Sequence, residues 1–203
     1  MMNQKNYQKE LDKLLENLTA EGRVPRLLLH SCCAPCSSYV MEYLSQYFQI
    51  TVFFYNPNIY PPEEYELRVK EEKRLISEMP FVHPVQMLEG RYEPDRFFQE
   101  VKGMEKEPEG QKRCEHCYEM RLYEAGLMAK QGGYDFFTTT LTISPLKSAS
   151  KLNEIGVRIG KELGVTYLCS DFKKKNGYKR SLELSEEYGL YRQNYCGCIY
   201  SKR

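Results

Sequence analysis

No stretch of this 203-residue chain approaches the ~18 uninterrupted apolar residues that a membrane span requires, so no membrane partner is expected. An excess of either charge is missing too. The 29 Lys and Arg against 28 Asp and Glu leave a net charge of +1, which excludes a globally basic nucleic-acid coat and an acidic tail protein but not a local basic patch. The opening MMNQKNYQKELDKLLENL alternates charged and apolar residues and lacks the apolar heart of a signal peptide, so the chain reads as soluble, intracellular and cytoplasmic. Neither GxxxxGK[ST] nor GxGxxG occurs, which removes sequence support for nucleotide hydrolysis and dinucleotide binding. Internal repeats and low-complexity linkers are absent. The expected organisation is one domain over 1–203, with an N-terminal amphipathic helix at about 5–20 and an insertion at about 88–113. Trp is absent and Tyr numbers 17; such residues are mostly half-buried packing, although Tyr-rich loops can stack on bases.

What the chain does have is eight cysteines. An even count suggests a disulfide framework only in a small secreted chain, and this one is too long and too helix-patterned for that. In a reducing compartment, clustered cysteines are metal ligands or redox thiols. The clusters are Cys32, Cys33 and Cys36, then Cys114 and Cys117, then Cys196 and Cys198, with Cys169 alone.

Leu11, Leu14, Leu15 and Leu18 recur at helical spacing and make the leading helix. Strands follow at 26–31, 50–55, 82–88, 135–141 and 165–169. Between them lie helices from Ser37 to about Gln46, from Pro62 onward, from Cys114 to Lys130 and from Ser148 to Leu163. A short helix near 94–101 sits in the insertion and another near 182–187 precedes the tail. Strands alternating with helices indicate an α/β fold, a three-layer parallel sheet of about five strands with flanking helices. Ligands in such folds gather beyond the carboxyl ends of the strands. The first cysteine cluster lies at such an end, and Cys114 and Cys117 open a helix whose positive end favours thiolates. The three groups are expected on one rim.

Soft thiolates select zinc, copper or iron–sulfur. Cys114/Cys117 with Cys196/Cys198 suit a structural zinc site, and the CxxC alone suits a dithiol pair. Zinc leaves Cys32, Cys33 and Cys36 unexplained, whereas an iron–sulfur centre uses more of the inventory. Cys169 reads as a small buried hydrophobe, His116 as exposed, and His30 and His83 as packing residues. Gly156 and Gly160 read as close helix packing. The segment from Asp171 to Arg180 carries Lys173, Lys174, Lys175, Lys179 and Arg180 beside aromatic residues, after a strand's carboxyl end. A charge run is usually a solvated face, but this placement suits phosphate contacts with a stacking base, and Lys147 in Ser144–Lys147 adds another.

LLLHSCCAPCSS, YNPNIYPPEEYELR, RCEHCYEMRL, FTTTLTISPLKS and YCGCIYS together resemble the QueH family, the cobalamin-independent epoxyqueuosine reductases. The likeness runs from about Leu27 to Ser201. It implies reduction of the epoxide of epoxyqueuosine at the wobble position of a tRNA anticodon. It also implies an iron–sulfur cofactor, here expected as [4Fe–4S], and a fold similar to the adenine-nucleotide α-hydrolase (PP-loop) group. That group carries a Gly/Ser-rich, ATP-binding turn after strand one, where this chain has Cys32-Cys33-Ala34-Pro35-Cys36. Proline removes a donor N–H and thiolates repel phosphate, which argues against an ATP requirement.

With no flavin or nicotinamide signature, the electrons are expected to pass through the metal centre from an unidentified electron donor. Asp171 and Tyr195 are the candidates for protonating the departing oxygen. A cubane needs four thiolates and the motifs supply seven. Because successive side chains at a strand end point to opposite sides, Cys32 and Cys33 are expected to serve different metals. One would hold the cluster; the other, with Cys36 or a carboxylate, would hold a second mononuclear metal ion, expected as iron. Two other readings stand beside this one: an ATP-dependent tRNA sulfur-transferase of the PP-loop fold, and a non-catalytic zinc-stabilised RNA-binding module.

Overall fold

In β1 (Arg26–His30), Leu27 and Leu29 join one apolar cluster and Leu28 joins another, all three fully buried. A strand covered on both faces needs such a continuous apolar run. The computed structural model describes residues 5–202. Four more strands, β2 (Gln49–Phe54), β3 (Val85–Glu89), β4 (Phe136–Thr139) and β5 (Thr166–Tyr167), pair in parallel with β1 at the centre, in the order β3-β2-β1-β4-β5. Helices α1 (Tyr7–Ala20), α2 (Ala34–Leu44), α3 (Pro62–Glu78) and α7 (Gly177–Glu187) pack on the Leu27 and Leu29 face. Helices α5 (Lys112–Gln131) and α6 (Ala149–Leu163) cover the Leu28 face. The result is the expected three-layer α/β architecture. In the insertion, α4 (Pro94–Glu100) places Phe97 against Cys117, Met120 and Cys198. No helix among the described residues is long and apolar enough to cross a membrane.

The strand order reverses at β1. The chain steps outward to β2 and β3, then returns to lay β4 on the other side of β1. Connections leaving the carboxyl ends of β1 and β4 therefore diverge, opening the crevice where such sheets hold ligands.

Several boundaries differ from the sequence reading, each for a local reason. Helix α2 begins at Ala34, not Ser37. Extended Cys33 (φ −172°, ψ 148°) flanks it, and Ser37 and Ser38 donate back to the carbonyls of Ala34 and Pro35 at 3.1 Å each. Strand β4 stops at Thr139 and tightens into one 3₁₀ turn over Thr140–Ile143. Strand β5 is two residues long: the Leu168 N–H makes a last ladder bond to the Phe137 carbonyl at 2.8 Å, and the Leu168 carbonyl accepts from the Thr138 hydroxyl at 2.8 Å. Helix α7 opens at Gly177, after Lys175 and Asn176 turn the chain with φ of 51° and 60°.

Gly156 and Gly160 let α6 lie directly on β5. A Cβ at Gly156 would stand 2.4 Å from the ring of Tyr167, itself packed edge-on against Phe137. Gly156→Ala should therefore destabilise the chain by about 1–3 kcal/mol, the cost of overpacking a filled core. A thermal melt in which the variant matches the wild-type chain would contradict this.

Candidate metal centre

Strand β1 delivers its end into the crevice, and the next residues are Ser31, Cys32 and Cys33. Because the chain turns into α2 at once, Cys36 comes back over the same spot. The sulfurs of Cys32, Cys33 and Cys36 all lie within 4.8 Å of one another, those of Cys32 and Cys33 at 3.8 Å. This corrects the expectation that Cys32 and Cys33 point to opposite sides. That rule holds inside a strand, and β1 has already ended at His30.

The second pair comes from the first turns of α5, where Gly110 N–H points at Cys114 Sγ at 3.2 Å and Arg121 lies 3.8 Å from Cys117 Sγ. The third comes from the tail. Gly197, at φ +101°, turns the chain between Cys196 and Cys198, and its carbonyl accepts from Tyr60 N–H at 2.9 Å. Arg68, 1% exposed, donates to the carbonyls of Tyr195 and Cys196 at 3.4 and 3.3 Å. The Ser201 hydroxyl contacts Cys196 Sγ at 3.0 Å. All seven cysteines line one cavity of about 340 Å³.

The spacing within the seven is uneven. A tetrahedral ion with ~2.3 Å sulfur bonds sets its ligand sulfurs roughly 3.8 Å apart, the Cys32–Cys33 distance. The triad therefore fits a single ion. No three of Cys114, Cys117, Cys196 and Cys198 come within 4.8 Å of one another. Those four therefore do not close around one ion as the triad does.

Cations also line the cavity: Arg113, Arg121, Lys147 and Arg192, with Glu109 the one carboxylate in the lining. Cys32 accepts from the Cys33 and Cys36 thiols and feels Arg121 and Lys147, so its thiol is drawn well below its ordinary value. The hydrogen bond to Cys32 pushes Cys33 up to about 12 and raises Cys36 as well. Cys196 is drawn down in the same way by Cys198 and then by Lys147, while Cys198 is raised. Burial pushes Cys117 up to about 11. Burial disfavours the Lys147 ammonium, but the facing thiolates of Cys196 and Cys32 outweigh it and hold the charge.

Tyr195 lines the cavity with its hydroxyl donating to the Tyr60 carbonyl at 3.0 Å. Asp171 is not among the lining residues and pairs with Lys173 at 3.1 Å. The basic segment is largely neutralised from within. Lys173 donates to the Thr142 carbonyl at 2.9 Å, Lys175 meets Asp12 at 2.7 Å, Arg180 meets Glu42 at 2.6 Å, and Lys179 reaches Glu183 at 3.9 Å. Exposed Lys174 has no carboxylate within 4.0 Å among the described residues. His30 packs, as expected: Arg121 donates to its Nε2 at 3.3 Å, its Nδ1 lies 2.9 Å from Thr139 Oγ1, and burial beside Arg121 pushes it down to about 3. His116 pairs with Glu100 on the surface.

Sequence reasoning missed Arg121, Arg113, Arg192 and Asn58 in the lining. Arg121 did carry a signal, since it stands four residues after Cys117 and so on the same helix face. Asn58, in a loop, carried none.

The profile of a family described as "Epoxyqueuosine reductase QueH" matches residues 27–203. A protein of that description from Staphylococcus epidermidis is 43% identical over 206 residues, covering 99% of this chain and 87% of the relative. One from Streptococcus pyogenes serotype M1 is 43% identical, covering 99% and 80%. One from Thermotoga maritima is 34% identical, covering 86% and 89%. Among solved structures, the U34-tRNA thiolase NcsA from Methanococcus maripaludis, with its [4Fe-4S] cluster, superposes with a TM-score of 0.51. At 12% identity, over 96% of this chain and 69% of that one, the likeness is one of fold, a PP-loop-like α/β fold.

Behind the triad, Glu72 is wholly buried on α3. One carboxylate oxygen accepts from Ser31 Oγ at 3.3 Å and the other has no partner. Burial pushes its carboxyl up to about 8. The folded chain therefore keeps a proton that the unfolded chain releases above its ordinary range. This contribution to stability is whole below that range and is lost as pH rises toward 8, by at most roughly 1.4 kcal/mol per pH unit. Glu72→Gln keeps the acceptor and removes the titration. Its melting temperature relative to wild type should climb between about pH 6 and about pH 8. A constant difference across that window would show that Glu72 does not titrate there.

Proposed function

The chain belongs to the QueH family of epoxyqueuosine reductases, and from that premise and the thiol-lined cavity we propose how it acts. It is an oxidoreductase of tRNA modification that removes the epoxide oxygen of epoxyqueuosine to give queuosine. The substrate is the modified base at the wobble position of a tRNA anticodon. An epoxide, two electrons and two protons give an alkene and water. The observation that carries the reading is the convergence of seven cysteines from three distant segments on one cavity at the carboxyl ends of β1 and β4.

Cys114, Cys117, Cys196 and Cys198 would hold a [4Fe–4S] cluster, and Cys32, Cys33 and Cys36 a single iron with a position left open. Such groups supply electrons and Lewis acidity toward an epoxide oxygen. The chain's own residues do the remainder. Lys147 and Arg121 offset the thiolate charge. Phe97, Leu141 and Ile143 line the cavity with apolar surface and keep water from competing. Tyr195 is retained as proton donor because it is a lining residue, its hydroxyl proton resting on the Tyr60 carbonyl until substrate enters, whereas Asp171 lies outside the lining and pairs with Lys173. Electrons come from a separate donor that approaches the mouth. The cysteines at the turn after β1 leave no phosphate cradle, so turnover should proceed without ATP.

Protein purified and reconstituted without oxygen should be brown and carry sulfide. Cys117→Ser or Cys198→Ser should lose most iron and sulfide together. Cys33→Ser should lose about one iron per chain and keep the cluster's visible absorption. Stoichiometric zinc without sulfide in the wild-type protein would sink this assignment.

On the RNA side, Lys147 at the cavity and the least engaged lysines beside it, Lys174 and Lys179, are proposed to meet phosphates; Lys173, Lys175 and Arg180 contribute through the fold of the segment. The double change Lys174→Ala, Lys179→Ala should weaken tRNA binding and flatten its salt dependence by roughly 0.7–0.9 in slope for each phosphate that is no longer neutralised. An unchanged salt slope would remove this segment from the RNA path.

A further inference from the structure

The loop after β2 is strapped at both ends to the thiol groups. At one end, Asn56 donates through Nδ2 to the carbonyl of Ser31, next to Cys32, at 2.8 Å and accepts from Arg121 at 2.7 Å. At the other, Tyr60 N–H donates to the carbonyl of Gly197, between Cys196 and Cys198, at 2.9 Å. Asn58 stands midway. It is 1% exposed, it lines the cavity, and its Oδ1 has no hydrogen-bond partner.

An amide oxygen buried without a donor costs folding free energy, and native structures seldom leave one so. Asn56, two residues away, has both ends of its amide satisfied, so the loop is able to pair such groups internally. The thiolates around the cavity are acceptors themselves and offer Asn58 nothing once they are deprotonated. A donor for Oδ1 is left to what enters the cavity, water or a ligand. Gln193 Oε1, a second unpaired acceptor in the lining, adds to the demand for donors.

On the functional reading above, the ligand's reacting end is rich in donors. The epoxide-bearing ring of the modified base carries hydroxyl groups and is joined to the purine-like base through an amine. We propose that Asn58 Oδ1 accepts a hydrogen bond from an O–H or N–H of that ring or its amine linkage, and so selects tRNA carrying the epoxide-bearing base over tRNA with plain guanine at the same position. A pocket built to hydrogen-bond a substrate group rejects the analogue lacking it, because the buried partner is then left unpaired.

The experiment compares holoenzyme of wild type, Asn58→Leu and Asn58→Asp. Leu keeps the volume without the acceptor; Asp keeps the acceptor. Iron and sulfide content, dissociation constants for epoxyqueuosine-bearing tRNA and its guanine-bearing counterpart, and steady-state constants are measured for each. Asn58→Leu should hold its metal and bind the guanine-bearing tRNA as wild type does. Its affinity for the modified tRNA should fall about fivefold, one neutral hydrogen bond's worth, with KM rising accordingly. Asn58→Asp should restore the preference. Equal weakening toward both tRNAs, an unchanged preference, or loss of iron from Asn58→Leu would each overturn the assignment, the last by making Asn58 part of the metal site. Wild-type holoenzyme that fails to convert the modified tRNA would instead overturn the functional reading beneath it.

Discussion

The guanidinium of Arg121 is the interaction on which the rest of the site depends. It is 3% exposed, donates to His30 at the end of β1 and to Asn56 after β2, and reaches Cys117 on its own helix. One side chain thus fixes the relative placement of two strand ends and α5. No carboxylate pairs with it among the described residues. A buried cation without a counter-charge is expensive, and here the Cys32 thiolate and the Cys117 sulfur face it. The dependence is mutual: apolar burial raises thiols, and hydrogen bonds from neighbouring thiols, joined by the nearby cations, bring Cys32 and Cys196 down. Arg121 and Lys147 belong to the proposed metal site as much as the sulfurs do.

That charge balance explains why the residues around it are neutral or cationic. His30 is held uncharged beside Arg121, and its ring works as a spacer between β1, β4 and α5. Glu72, the nearest buried carboxyl behind the triad, is driven toward its protonated form. Apart from exposed Glu109, negative charge in the lining is left to sulfur. The carboxylates that neutralise the basic segment, Asp12 and Glu42, sit on α1 and α2, away from the cavity.

The layers were legible because they rest on local periodicity: the apolar run of β1, the leucine stripe of α1, the capped and glycine-stopped α6. The thiol groups were legible because their motifs are short and dense. What stayed hidden was long-range pairing. Lys175 meets a partner 163 residues away and Arg180 one 138 residues away, so a run that reads as an exposed basic face is mostly neutralised by helices the sequence places far off. Asp171 is a local case: it lies outside the cavity lining and pairs with Lys173, two residues on. The triad was misjudged by one residue of strand. Once β1 ends at His30, alternation no longer governs Cys32 and Cys33, and helical return brings Cys36 to them.

The fold's way of holding anions is kept here while the donors change. In a sheet of this topology, the helix that follows β1 points its positive end into the crevice, and backbone N–H groups there cradle phosphate. In this chain that end carries Cys33 and Cys36, with Pro35 deleting one of the N–H groups. The α5 N-terminus repeats the arrangement with Cys114 and Cys117, and Gly110 N–H, which could serve a phosphate oxygen, points at sulfur. A helix terminus stabilises a thiolate by the same partial charge that stabilises a phosphate. Converting such a site from phosphate to metal therefore requires no new architecture. It requires sulfur in the first turn of two helices, a third pair brought in by the tail, and buried cations to balance the charge when all are assembled.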